Sequence, residues 1–275
     1  GLPEKQYLPR FTSNPYEAIN PSWPHTLTEY DAMGRAVEVT TPDGFSSNMS
    51  YSDWTTESID ANGHKTKSDY DAYGRLKTKY EYTGADGRFP SAYPASTYVP
   101  YATTQYQYDS EGNLTQTTDT LNNVTTIAYD ILGRKTSMND PDMGVWSYQY
   151  DLNGNLTKQT DAKNQVIDFT YDLLNRLVNK TDHAGLDVDY TYDDVNTPNS
   201  KGRLSFVQYG TQNEQAAFAY DALGRESSSS KTIGTTAYDV LRSYDALNRV
   251  TDIEYPDGEN VFYAYNSAGQ IEQVA

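Results

Sequence analysis

The chain of 275 residues contains no cysteine and only three histidines, His25, His64 and His183. Disulfide staples and thiolate chemistry are therefore ruled out, and no two histidines stand at metal-ligand spacing. No apolar run approaches the roughly 20 residues of a membrane-spanning helix, and no signal peptide is visible. Cationic residues are scarce as well. The 21 Lys and Arg face 38 Asp and Glu, for a net charge of −17, so neither nucleic acid nor an anionic membrane surface is expected as a partner. Hydrophobic residues make up 36% of the chain, and 26 of them are tyrosine. A domain of this length normally carries a larger aliphatic core.

What is present is a repeat. Tyr-Asp returns at Tyr108-Asp109, Tyr129-Asp130, Tyr150-Asp151, Tyr171-Asp172 and Tyr192-Asp193, each step 21 residues long. It recurs at Tyr30-Asp31, Tyr70-Asp71, Tyr220-Asp221 and Tyr244-Asp245. A fixed period of this size signals a repeat architecture. In most copies the dipeptide opens Asp-x-x-Gly/Asn-Arg/Asn, using Gly34-Arg35, Gly74-Arg75, Gly133-Arg134, Gly154-Asn155, Asn175-Arg176, Gly224-Arg225 and Asn248-Arg249. Asp suits the first position of a type I turn, because its carboxylate accepts main-chain N–H bonds from residues further on. Gly, or Asn as second best, suits the position of positive φ that closes a hairpin with a three-residue loop.

That loop makes the Asp and the Arg/Asn neighbours across the hairpin and sets each Tyr opposite the residue after the Arg/Asn. The residues so placed are Ala36, Leu76, Leu114, Leu156, Leu177, Val250 and Ile271, all apolar, with Lys135 and Glu226 as exceptions. Aromatic–aliphatic cross-strand pairs favour this register. A second turn follows about ten residues later, at Asp119, Asp140, Asp161 and Asp182. Strands between turns alternate with period two, as in Ile167, Phe169 and Tyr171 or Trp146, Tyr148 and Tyr150. One polar face and one apolar face imply a half-buried antiparallel sheet. The expected fold is all-β, a long antiparallel hairpin-repeat sheet that strand twist curls into a spiral or partial shell. The aromatic stripe is expected to bury itself between successive turns of that sheet.

Residues 1–26 are expected to be an extended lead-in or cap, with Tyr7 and Trp23 over the first edge. The array then runs through 27–275, with insertions at about 83–103 and 193–201. Because the chain begins at Gly1 and stops within a repeat, it reads as a fragment excised from something longer. In the first insertion Tyr93, Tyr98 and Tyr101, together with Trp146, could offer stacking platforms to sugar rings. Asp187, Asp189, Asp193 and Asp194 crowd together, but their spacing is not that of a calcium loop, and they read as a solvated acidic turn. Nucleophile-elbow, phosphate-loop and zinc-protease motifs are all missing. The aspartates recur at the turn position of every repeat, so turn chemistry explains them better than a glycosidase carboxylate pair. Each Arg is expected either to pair with the Asp opposite or to lie on a neighbouring Tyr ring. No enzyme activity, cofactor or metal site is expected.

The motif Y-D-x-x-G-R/N-L-x-x-x-x-D-x-x-G/N, as in Tyr150–Asn164, resembles the RHS/YD-repeat family, over roughly residues 27–275. That family includes bacterial Rhs toxins, components of insecticidal toxin complexes, wall-associated proteins and the teneurins. The resemblance implies a secreted or cell-surface bacterial protein whose repeats form a shell around a C-terminal toxin or effector. Its partners would be the remainder of the same polypeptide. It also places a shell-closing segment and an aspartyl self-cleavage site downstream of such repeats, and neither is visible here. A carbohydrate-binding or adhesive surface module is the alternative function. Self-association through exposed edge strands is a further expectation.

Overall fold

The Tyr-Asp turns and the second turns divide the chain into short outgoing and returning strands. A computed structural model describes residues 2, 4–8, 19–85, 96–210 and 214–275. Among them every regular element is a β-strand, 23 in all, from Lys5–Tyr7 to Ile271–Val274. They fall into two units, Gly1–Asp142 and Met143–Ala275. Within each unit the strands pair antiparallel with their neighbours in sequence. The expected all-β hairpin-repeat fold is what forms.

The register is the one the turn dictates. Tyr30 faces Ala36, Tyr70 faces Leu76, Tyr108 faces Leu114 and Tyr150 faces Leu156. Tyr171 faces Leu177, Tyr244 faces Val250 and Tyr265 faces Ile271. The two exceptions obey it too, with Tyr129 opposite Lys135 and Tyr220 opposite Glu226. Immediately beyond each of these pairs the ladder slips by one residue. Tyr150 pairs with Leu156, but Gln149 pairs with Lys158, leaving Thr157 as a bulge. The Thr157 hydroxyl donates to the Gln149 carbonyl at 3.2 Å, and Thr115 repeats this bond to Gln107. A bulge adds twist and reverses the phase of the strand that carries it. Outgoing strands therefore alternate cleanly, as along Val145–Tyr150, whereas returning strands such as Leu156–Thr160 are half-buried throughout.

The aromatic stripe is half-buried rather than buried, which corrects the expectation. Among the described residues no side chain is fully enclosed, and the most enclosed residues are Ala85, Val207, Ser200 and Ser205. The accessible surface is 18246 Å², against roughly 12,000 Å² for a close-packed monomer of this mass. The tyrosine rings are covered by neighbours within their own sheet.

The lead-in contributes an edge strand, Lys5–Tyr7, paired with His25–Tyr30, and the Tyr7 ring lies 5.1 Å from that of His25. The apparent break at 83–103 is largely one long hairpin. Its strands Leu76–Ala85 and Ser96–Tyr108 stay paired from Thr78–Gln105 to Ala85–Ser96. Pro100 has no N–H to give a ladder and sits where the register slips, with Tyr101 as the extra residue. The hairpin tip, with Tyr93, lies outside the described residues.

Candidate functional site

The chemistry-bearing residues of the repeat converge at the first turn of each hairpin. Asp31 accepts the N–H groups of Met33 and Arg35 on one carboxylate oxygen, both at 2.9 Å. Its other oxygen takes the Arg35 guanidinium through Nε and Nη2, both at 2.7 Å. The Asp31 N–H donates to the Arg35 carbonyl, and the Gly34 N–H donates to the Asp31 carbonyl. Asp71–Arg75, Asp130–Arg134, Asp172–Arg176, Asp221–Arg225 and Asp245–Arg249 repeat the clasp. Gly133 closes its loop at φ 74°, and Asn175 does so at φ 60°. Where Asn replaces Arg, its amide takes the guanidinium's place, as Asn155 does on Asp151 at 2.9 Å. The second turns keep the carboxylate bonds. Asp161, for example, accepts the N–H groups of Lys163 and Gln165.

In the first turns these bonds hold the carboxylates below their usual range. For Asp31, Asp71, Asp130, Asp172 and Asp245 the arginine's main-chain N–H contributes most, with further help from its guanidinium. For Asp109 and Asp151 the asparagine side chain contributes most.

Five of these guanidinium groups also reach the next hairpin. Arg35 lies over the ring of Tyr51 at 4.3 Å, Arg75 over Tyr108 at 4.8 Å and Arg176 over Tyr192 at 4.4 Å. Arg225 covers Tyr244 at 4.7 Å, and Arg249 covers Tyr265 at 4.3 Å. The two expected roles of the arginine are thus filled at once. With or without a guanidinium on its ring, the Tyr hydroxyl donates to the main chain of the preceding hairpin, at the residue paired with the preceding Tyr. The acceptors are Leu114 for Tyr129, Leu156 for Tyr171, Leu204 for Tyr220 and Val250 for Tyr265, at 2.7–3.0 Å. Tyr108 makes the same bond to Leu76 across the long hairpin, at 2.9 Å. Because the acceptor is a carbonyl, Glu226 serves Tyr244 as well as a leucine would. Each such bond is worth about 0.5–1.5 kcal/mol, and each exposed cation–π contact about 0.5–1 kcal/mol.

The described aromatic candidates are divided between the two units, Tyr98 and Tyr101 in the first and Trp146 in the second. Tyr98 gives its hydroxyl to the Gly63 carbonyl and has Lys65 over its ring at 5.8 Å. Trp146 gives its indole N–H to Met143, in the other unit from Tyr98, and Tyr101 stands exposed. The crowded acidic residues are separately engaged. Asp193 pairs with Arg176 at 2.7 Å, Asp189 accepts from Asn179, and Asp187 accepts from Thr181. Among the described residues no cluster of His, Asp and Glu is arranged to hold a metal ion. The 193–201 insertion lengthens its loop yet keeps the clasp pattern, since the Asp193 N–H still donates to the Arg203 carbonyl. Beside it opens a hollow of about 690 Å³ lined by Arg176 and Asp193, which bind each other, and also by Asp194 and Lys201.

This geometry can hold hairpins in place, and it leaves no aspartate of the clasps free for acid–base work. Solved structures share it at the level of the fold. The TcdB2-TccC3 complex matches with a TM-score of 0.69 at 17% identity, covering 92% of this chain and 14% of that one. The complex with Cdc42 and the Photorhabdus luminescens Tc holotoxin pore match with a TM-score of 0.68 each, at the same identity and coverage. The chain therefore spans about a seventh of the solved chains it resembles. No curated protein sequence matches it. The Teneurin YD-shell family matches residues 60–198, which is 139 of the 275 residues. With the tyrosine-to-carbonyl bonds repeating through that stretch, the chain belongs to the teneurin YD-shell family.

Proposed function

We propose that this chain is a structural YD-repeat segment of a secreted bacterial toxin of the Rhs or toxin-complex type. In this reading the array, residues 27–275, forms part of a β-shell that encloses a C-terminal toxin or effector. The work of the segment is steric confinement, and bond chemistry is left to the enclosed domain. One observation carries the reading. The residues that define the repeat spend their polar groups on joining hairpin to hairpin, as Tyr171 does to Leu156 and Arg249 does to Tyr265. The likeness to toxin-complex chains at TM-scores of 0.68–0.69 supports it. Among the described residues no helix is long and apolar enough to cross a membrane.

The test is protease protection in the natural polypeptide that carries these repeats. We expect its C-terminal segment to resist digestion while the repeats are folded and to be cut once acid or urea opens them. Digestion of that segment at the rate seen when it is expressed alone would sink the proposal.

A further inference from the structure

We propose that the first-turn edge of the second unit is a self-association surface, packing against the same edge of a second copy of this chain. In Asp-x-x-Gly/Asn the two central residues project from the hairpin end, and a type I turn accepts most residue types there. In this unit those positions and the 193–201 insertion carry Leu152, Leu173, Leu174, Val195, Leu223 and Leu247. Leu152, Leu173 and Val195 are 103%, 101% and 94% exposed, and the other three are more than two-thirds exposed. The opposite edge of the same unit supplies an internal control. Its turns carry Ala162-Lys163, His183-Ala184 and Pro256-Asp257 at the corresponding positions, and the large apolar residues beside them, Leu186 and Ile233, are 56% and 48% exposed. Single exposed leucines need no explanation, but a row of them repeated along one edge calls for one, because concentrated exposed apolar surface marks interaction sites.

Three features select a second copy as the occupant. First, the row is held in line by bonds between consecutive turns. Asn155 donates to Asn175, Arg176 pairs with Asp193, Arg203 donates to the Gly224 carbonyl and Arg225 donates to the Asp245 carbonyl. Its pitch is one hairpin, about 10 Å, and a second row of the same hairpins matches that pitch with tips seated between tips. Second, charge does not oppose the contact. Across segments 151–155, 172–176, 193–203, 221–225 and 245–249, six carboxylates meet five cations, leaving −1 in a chain of −17. Third, six large apolar residues, each two-thirds or more exposed along one edge, supply the apolar surface that the core of a homodimer interface uses. Two-fold symmetry lets one patch serve both partners.

Sedimentation equilibrium on the chain Gly1–Ala275 tests this. The unsubstituted chain should approach twice the monomer mass by about 100 µM, where a contact of this kind is populated. The combined variant Leu152→Ser, Leu173→Ser, Leu223→Ser and Leu247→Ser should weaken association at least about 100-fold. Its far-UV circular dichroism should not change, since all four side chains are two-thirds or more exposed. The variant Ile271→Lys with Val274→Lys, which blocks strand-edge pairing, should dimerise as the parent does. A monomeric parent chain, a tip variant that still dimerises, or loss of the dimer in the strand-edge variant would each overturn the proposal.

Discussion

The repeat tyrosine contributes through two different parts of its side chain. Where the preceding turn carries arginine, as before Tyr265, the ring receives that guanidinium, and in either case the hydroxyl bonds the preceding hairpin's main chain, as at Tyr265 and Tyr171. Removing only the hydroxyl separates the two. Tyr171→Phe should lower stability by about 0.5–1.5 kcal/mol, read from the urea midpoint at unchanged slope. Tyr101→Phe, at an exposed bulge position, should stay within about 0.5 kcal/mol of the parent. The roles of Asp, Gly and Arg in the clasp were legible in the sequence because the turn is closed within five residues, Asp31 to Arg35. The tyrosine's acceptor was not. Tyr171 finds Leu156 15 residues upstream, and Tyr108 finds Leu76 32 residues upstream. No local rule connects them.

Among the hairpins, the one spanning Leu76–Ala85 and Ser96–Tyr108 departs furthest from the period. Its proline, glycine and tyrosine content reads as an excursion, yet the ladder continues through it by slipping at two places. One slip accommodates Pro100. The other lies at Gly84, where φ is 109° and an added Cβ would sit 2.7 Å from the Thr97 carbonyl oxygen. Gly84→Ala should therefore cost roughly 3 kcal/mol in thermal unfolding, because backbone must move as well as bend. Gly154→Ala, at φ 92° with open space around it, should cost about 1–2 kcal/mol from its dihedral alone. Similar losses at both sites would contradict the close approach at Gly84. Outgoing strands were legible from their alternation. Returning strands were obscured by the bulge, which puts Leu156 and Gln159 on one face three residues apart.

Across the whole molecule, stability rests on a succession of neighbour-to-neighbour joints, and many of these are carboxylate clasps. A folded-state pKa held below the unfolded value adds stability that is fully present above the unfolded value. That stability is lost as pH falls through the folded one. The first-turn aspartates paired with arginine lie below their ordinary 3.8, so the urea midpoint should be flat from about pH 8 to 5 and fall steeply below about 4. A midpoint that rises on acidification would mean that relief of the −17 self-repulsion outweighs the clasps. The half-burial of the described tyrosines was not legible, since period-two alternation distinguishes two faces without saying how far either is covered. The polar face was expected and the half-buried aromatic face was not.

The tyrosine bond measures a position in space and is blind to contour length. It is satisfied equally across 15, 16, 18 and 32 intervening steps of chain, and by glutamate as readily as by leucine. Second-turn loops are therefore permissive ports. Foreign segments grafted between residues 85 and 96 would ride on a scaffold that continues to close behind them, and lineages could exchange whole hairpins without renegotiating the joints on either side.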